Sequence, residues 1–156
     1  MLKPSRILVG TDVWLAYFAG EEERCAEALG LFEACAEQDI DLLYTPISFK
    51  DVFCLVHDAV RAEADAPFAQ QPASVAWACV DKMAEVATAT SLSVSECEIA
   101  RLMRDRHASF DDNLLMAAAE TSKASCVATF DEGLAARFAP ACATPAQLTR
   151  LIRSLP

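Results

Sequence analysis

The chain has 156 residues, 54% of them hydrophobic, which is material for one sizeable core and predicts a single domain over residues 1–156. Its formal net charge of −10, from 23 acidic against 13 basic residues, opposes non-specific attraction to phosphate backbones and anionic membranes, so a nucleic-acid role must rest on a local site. Seven cysteines, Cys25, Cys35, Cys54, Cys79, Cys97, Cys126 and Cys142, include no C-x-x-C pair; that excludes a disulfide framework and a zinc site and predicts buried free thiols in a reducing, cytoplasmic protein.

Ile7-Leu8-Val9-Gly10 is a short apolar run that predicts a buried strand feeding a helix over 12–18, closed by Gly20. Residues 21–38 place Cys25, Leu29, Phe32 and Cys35/Ala36 at helical spacing. Leu42-Leu43-Tyr44 reads as a second strand before Pro46, and residues 48–63 as a helix with Val52, Leu55, Val56 and Ala59 as its stripe. Residues 64–72, with two prolines and no periodicity, read as a loop. A helix over 73–84, a strand over 86–90 and a helix over 95–106 follow. An Ala-rich helix over 111–123, a strand over 126–129, a short strand over 141–143 and a last helix opened by Pro145 complete the order. Met1 to Arg6 precedes only a short apolar run, so no signal peptide is expected, nor any membrane span.

Short apolar strands alternating with helices predict a parallel sheet of four to five strands covered by helices on both faces, with any ligand beyond the carboxyl ends of the strands. Four acids stand where that rule points: Asp12, Asp51, Asp112 and Asp131. Carboxylates far apart in sequence but converging on one sheet edge suit Mg²⁺ or Mn²⁺, hard cations that take oxygen ligands and activate water against a phosphodiester. Each acid also has a structural reading. Ser48-Phe-Lys-Asp51, Ser109-Phe-Asp-Asp112 and Thr129-Phe-Asp-Glu132 all have the form of a capping box or its near variant, and acids favour helix N-termini.

Taken in order, four segments resemble the PIN-domain nucleases. They are Ile7-Leu8-Val9-Gly10-Thr11-Asp12, Thr45-Pro46-Ile47-Ser48 leading to Asp51, Phe110-Asp111-Asp112-Asn113 opening an Ala-rich helix, and Cys126-Val127-Ala128-Thr129-Phe130-Asp131. The resemblance implies a PIN-like three-layer α/β/α sandwich and Mg²⁺- or Mn²⁺-dependent endoribonuclease action on RNA. It also implies a setting such as the toxin half of a VapBC-type pair with an antitoxin-like protein partner. Catalytic positions would be Asp51, Asp112 and Asp131, with Asp12 joining them as a metal ligand and Asp111 an alternative at the third position.

The departure from the family pattern is at Gly10, which stands where the first metal-binding Asp is usual. Asp12, two residues on, reads either as a helix-start acid or as a compensating ligand, and an Asp restored at position 10 would be expected to strengthen metal binding. Asp51 replaces the more usual Glu and reaches one methylene less. Gly10 and the acidic surface favour a second reading, a degenerate PIN-like domain that binds a partner or a second copy of itself. Arg104 and Arg106, with Arg101 and His107, form a basic cluster before Asp112 that reads either as an RNA-phosphate contact or as a solvated helix end. His57 and His107 lack partners at ligand spacing and read as surface or satisfied histidines. Trp14 and Trp77 read as core or interface anchors.

Overall fold

The computed structural model describes residues 3–63, 65, 67 and 70–155. Five strands form one sheet: β1 (Arg6–Val9), β2 (Asp41–Tyr44), β3 (Thr88–Ala89), β4 (Cys126–Ala128) and β5 (Cys142–Ala143). Every pairing is parallel, in the order β3-β2-β1-β4-β5. The helices are α1 (Thr11–Ala19), α2 (Glu22–Glu37), α3 (Pro46–Ala62), α4 (Pro72–Val86), α5 (Val94–Leu102), α6 (Phe110–Thr121), α7 (Glu132–Arg137) and α8 (Pro145–Arg153). No helix among the described residues is long and apolar enough to cross a membrane.

Side chains alternate across a strand, and here both faces are apolar. Ile7, Val9, Leu42 and Tyr44 pack with α1, α2, α3, α4 and α8, while Leu8, Leu43 and Val127 pack with α6 and α7. The result is a three-layer α/β/α sandwich. Full burial of Ile7, Leu8 and Val9 contributes about 1.5–3 kcal/mol for each side chain, which makes β1 the axis of both cores.

Two helical stripes fall differently from expectation. α2 buries Ala28, Leu31, Ala34 and Cys35 and leaves Leu29 exposed; α3 buries Ser48, Val52, Val56 and Val60 and leaves Leu55 and Ala59 exposed. The expected Cys35, Val52 and Val56 are buried, while Leu29 and Leu55 stand outside. Trp14 is fully buried among Phe18 and Phe32, whereas Trp77 is 56% exposed beside Phe53. Cys35, Cys126 and Cys142 are buried, and burial pushes their thiols up to about 12, 11 and 12; Cys54 and Cys97 are exposed, contrary to the expected burial. Of the expected loop before Pro72, residues 64, 66, 68 and 69 lie outside the described residues.

Gly20 ends α1 by close approach. Its φ is −77° and its N–H donates to Ala16 O at 3.0 Å, while a Cβ there would meet Ala16 O at 2.5 Å. α5 begins at a capping box that the sequence reading missed: Glu96 Oε2 accepts from Ser93 N at 2.7 Å and from Ser93 Oγ at 2.6 Å. These bonds, led by the Ser93 hydroxyl and joined by Thr121, hold the Glu96 carboxyl down at about 2 from its ordinary 4.5. A carboxylate depressed in the folded state stabilises it above the unfolded pKa, and that contribution is lost as pH falls toward the folded value. Glu96→Gln is therefore expected to lower the denaturant midpoint at pH 7, with the gap from the parent closing as pH falls from 4.5 toward 2. A gap that stays constant over that range would show that the charge contributes nothing.

Candidate metal centre at the carboxyl edge of the sheet

Four helices begin at the same edge, α1, α3 and α7 directly after strands and α6 after the loop that follows α5, and each start is built by local chemistry. Gly10 precedes α1, Thr45 caps α3 with its hydroxyl on Ser48 N at 3.1 Å, Ser109 caps α6 on Asp112 N at 3.2 Å, and Asp131 caps α7 on Leu134 N at 2.9 Å. Helix N-termini favour negative charge. The four helices begin around one cleft of about 360 Å³ lined by Asp12, Asp51, Asp111, Asp112 and Asp131, with Gly10, Thr11, Thr45, Ser48 and Thr129 among its other walls.

Four of these carboxylates, all but Asp111, are also engaged locally. Asp12 Oδ2 accepts from Thr129 Oγ1 at 2.8 Å and Phe130 N at 2.6 Å, and its Oδ1 accepts from Val13 N at 2.9 Å. It thereby ties the start of α1 to the segment after β4. Asp51 Oδ1 meets Lys50 Nζ at 2.8 Å, a contact that raises the Lys50 ammonium above its usual range, with a smaller contribution from the field of Asp111. Asp112 Oδ2 lies 2.8 Å from His107 Nε2. Asp111 is exposed, whereas Asp112 is partly buried, so Asp112 is the better fixed of the two.

The oxygen-only donor set and the cluster of negative charge fit a hard divalent cation. Among the described residues no three His, Cys, Asp or Glu side chains stand close enough to enclose an ion together. Mg²⁺ does not require that, because it binds through one or two carboxylates and keeps several waters.

Position 10 has a physical reason for being glycine. Its φ of −66° suits any residue, but a Cβ would lie 2.9 Å from Ala128 O and 2.7 Å from Asp12 Oδ1. The Asp12 carboxylate thus occupies the space into which a side chain at position 10 would project, and the backbone of β4 closes the other side. An Asp cannot simply be added back there, as the sequence suggested.

Two other expectations change, and the basic pair lies away from the cleft wall. Ser48 is not a cap: it is buried inside α3, where its hydroxyl bridges Thr11 Oγ1 at 2.9 Å and Thr45 Oγ1 at 3.1 Å. Thr45 before Pro46 was the available signal, since Pro favours the first helical position. Thr129 is not a cap either; its hydroxyl donates to Asp12 and accepts from Asp131 N at 3.1 Å. Arg104 and Arg106 do not line the cleft. Arg104 lies 3.8 Å from Asp105, and Arg106 sits 4.8 Å over the Phe138 ring.

A parallel five-stranded sheet in this order, sandwiched by helices and edged by carboxylates, defines a PIN-like α/β fold. Two solved structures share it. VapC20 of Mycobacterium tuberculosis, described as a sarcin-ricin loop cleaving toxin, superposes with a TM-score of 0.62 at 18% identity, over 83% of this chain and 93% of its own. PAE2754 of Pyrobaculum aerophilum superposes with a TM-score of 0.66 at 14% identity, over 96% of each chain. Neither a protein-family model nor a curated protein matches the chain by sequence.

Proposed function

We propose that the chain is a metal-dependent endoribonuclease of PIN type with an altered metal centre. In this assignment Asp51, Asp112 and Asp131 are the catalytic carboxylates and Asp12 takes the part of the absent position-10 side chain. One observation carries it: carboxylates from four separate elements line a single cleft at the carboxyl edge of a parallel sheet, which is where such sheets bind ligands. Bound there, Mg²⁺ or Mn²⁺ would supply the charge that activates water and offsets the phosphodiester. The chain's own residues orient the carboxylates and, without a cation, repel an anionic substrate. The similarity to VapC20 makes the sarcin-ricin hairpin the first RNA to try, and a small antitoxin-like protein a natural partner.

A second reading is a PIN-like binding module that has lost catalysis, favoured by Gly10 and by the local donor each of the four assigned carboxylates already has. Thermal melting in Mn²⁺ separates the two. At a hundredfold excess over Kd, bound metal adds about 2.7 kcal/mol, which for a chain of this size raises Tm by roughly 5–11 °C. Asp112→Asn should lose most of that rise. A parent whose Tm is the same in chelator and in millimolar Mn²⁺ belongs to the second reading.

A further inference from the structure

Among the five aspartates of the cleft, Asp112 alone has its side chain bonded to a ring held by packing. Asp12 and Asp131 accept from neighbouring backbone, and Asp51 meets Lys50, an exposed and flexible partner. The His107 imidazole, by contrast, reaches Asp112 Oδ2 at 2.8 Å with only 20% of its side chain exposed. The loop between α5 and α6 is braced to hold it there. His107 N donates to Met103 O at 3.0 Å, and its carbonyl accepts from Nδ2 of the buried Asn113 at 2.7 Å. The ring stands edge-on to Phe138, with centroids 5.8 Å apart, and Arg137 Nη1 fixes the adjoining Arg106 carbonyl at 3.0 Å.

We propose that His107 is a positioning residue for Asp112. The imidazole Nε2–H donates to Oδ2, fixing the rotation of the carboxylate and leaving Oδ1 as the oxygen free to meet a cation. The Ser109 hydroxyl holds the backbone of Asp112 from the other side, so the carboxylate is set at two points. Partners that orient a ligating carboxylate are worth roughly 10–100-fold in metal affinity. This role rests on the metal-centre assignment above and extends it to a residue outside the cleft wall.

The test is Mn²⁺ affinity, measured from the free-ion resonance signal on the full chain for the parent, His107→Ala and His107→Gln. The alanine variant is expected to bind at least about tenfold more weakly. The glutamine variant, which keeps an N–H donor, is expected to recover most of the loss. If the alanine variant does not fold, His107→Asn, polar but too short to reach Oδ2, takes its place. Equal affinity for parent and alanine variant overturns the proposal. Equal losses for alanine and glutamine also overturn it, because they mean that the ring itself is needed as a wall or as a ligand. A parent that binds no Mn²⁺ at millimolar concentration defeats the metal centre itself, and the positioning role with it.

Discussion

If the proposed assignment holds, Asp112→Asn is expected to abolish RNA cleavage while leaving the fold intact. Asn keeps the shape of the side chain and its first-turn place in α6, where Ser109 caps the helix through the backbone of residue 112. What disappears is one full negative charge in the cleft. Leaving a bound charge without its partner costs about 3–5 kcal/mol, which converts to a rate loss of roughly 10²–10⁴-fold. In chelator the variant should melt no lower than the parent, since five carboxylates sharing one cleft repel one another and the substitution removes one of them. The measurement pairs a cleavage assay on hairpin RNA in Mn²⁺ with melting in chelator. If the Asn variant cuts as fast as the parent, the activity resides elsewhere or in a contaminant.

Gly10→Asp has the second large effect, and its direction depends on the metal. In chelator the new Cβ must push against Ala128 O and displace the Asp12 carboxylate, from 2.9 and 2.7 Å respectively. Overpacking of this kind costs about 1–3 kcal/mol, or roughly 2–12 °C in Tm, and charge repulsion with Asp12 adds to it. Gly10→Ala carries the steric part alone. Mn²⁺ should then return more stability to the Asp variant than to the Ala variant, because only the former brings a new oxygen ligand. Melting curves for the parent and both variants, with and without Mn²⁺, separate the two terms. A Gly10→Ala variant as stable as the parent would remove the steric account, and equal metal responses for Ala and Asp would remove the ligand account.

The layered fold is readable because most strands are brief apolar runs between longer helices, and because Pro145 marks where the last helix begins; Thr45-Pro46 carries the same signal for α3, whose expected start is Ser48. The faces of α2 and α3 are not readable in the same way. Their buried sides mix Leu31 and three valines with Ala, Cys and Ser, and that weak contrast lets Leu29 and Leu55 mislead. That Asp12, Asp51 and Asp131 stand together follows from their place after β1, β2 and β4, one link of sequence to geometry, whereas Asp112 reaches the same edge at the start of a helix that follows another helix. Their local ties do not follow from it. The bond from Asp12 to Thr129 spans 117 residues, and the contact of His107 with Asp112 depends on how the loop between α5 and α6 closes over Phe138. The glycine at position 10 looks like a loss in sequence, and only the approach of β4 and of the Asp12 carboxylate shows that a side chain there must displace its neighbours.

The pairing of β1 with both β2 and β4 also sets an order of events during synthesis. Asp12 and Asp51 leave the ribosome early, but the wall carrying Thr129 and Asp131 follows 117 residues after Asp12. At cellular translation rates that interval is on the order of ten seconds. Through it the edge of β1 that pairs with β4 has no strand beside it, and no nascent chain shorter than about Asp131 can hold the assembled cleft. Whatever chemistry the cleft performs therefore waits until the segment after β4 has been made.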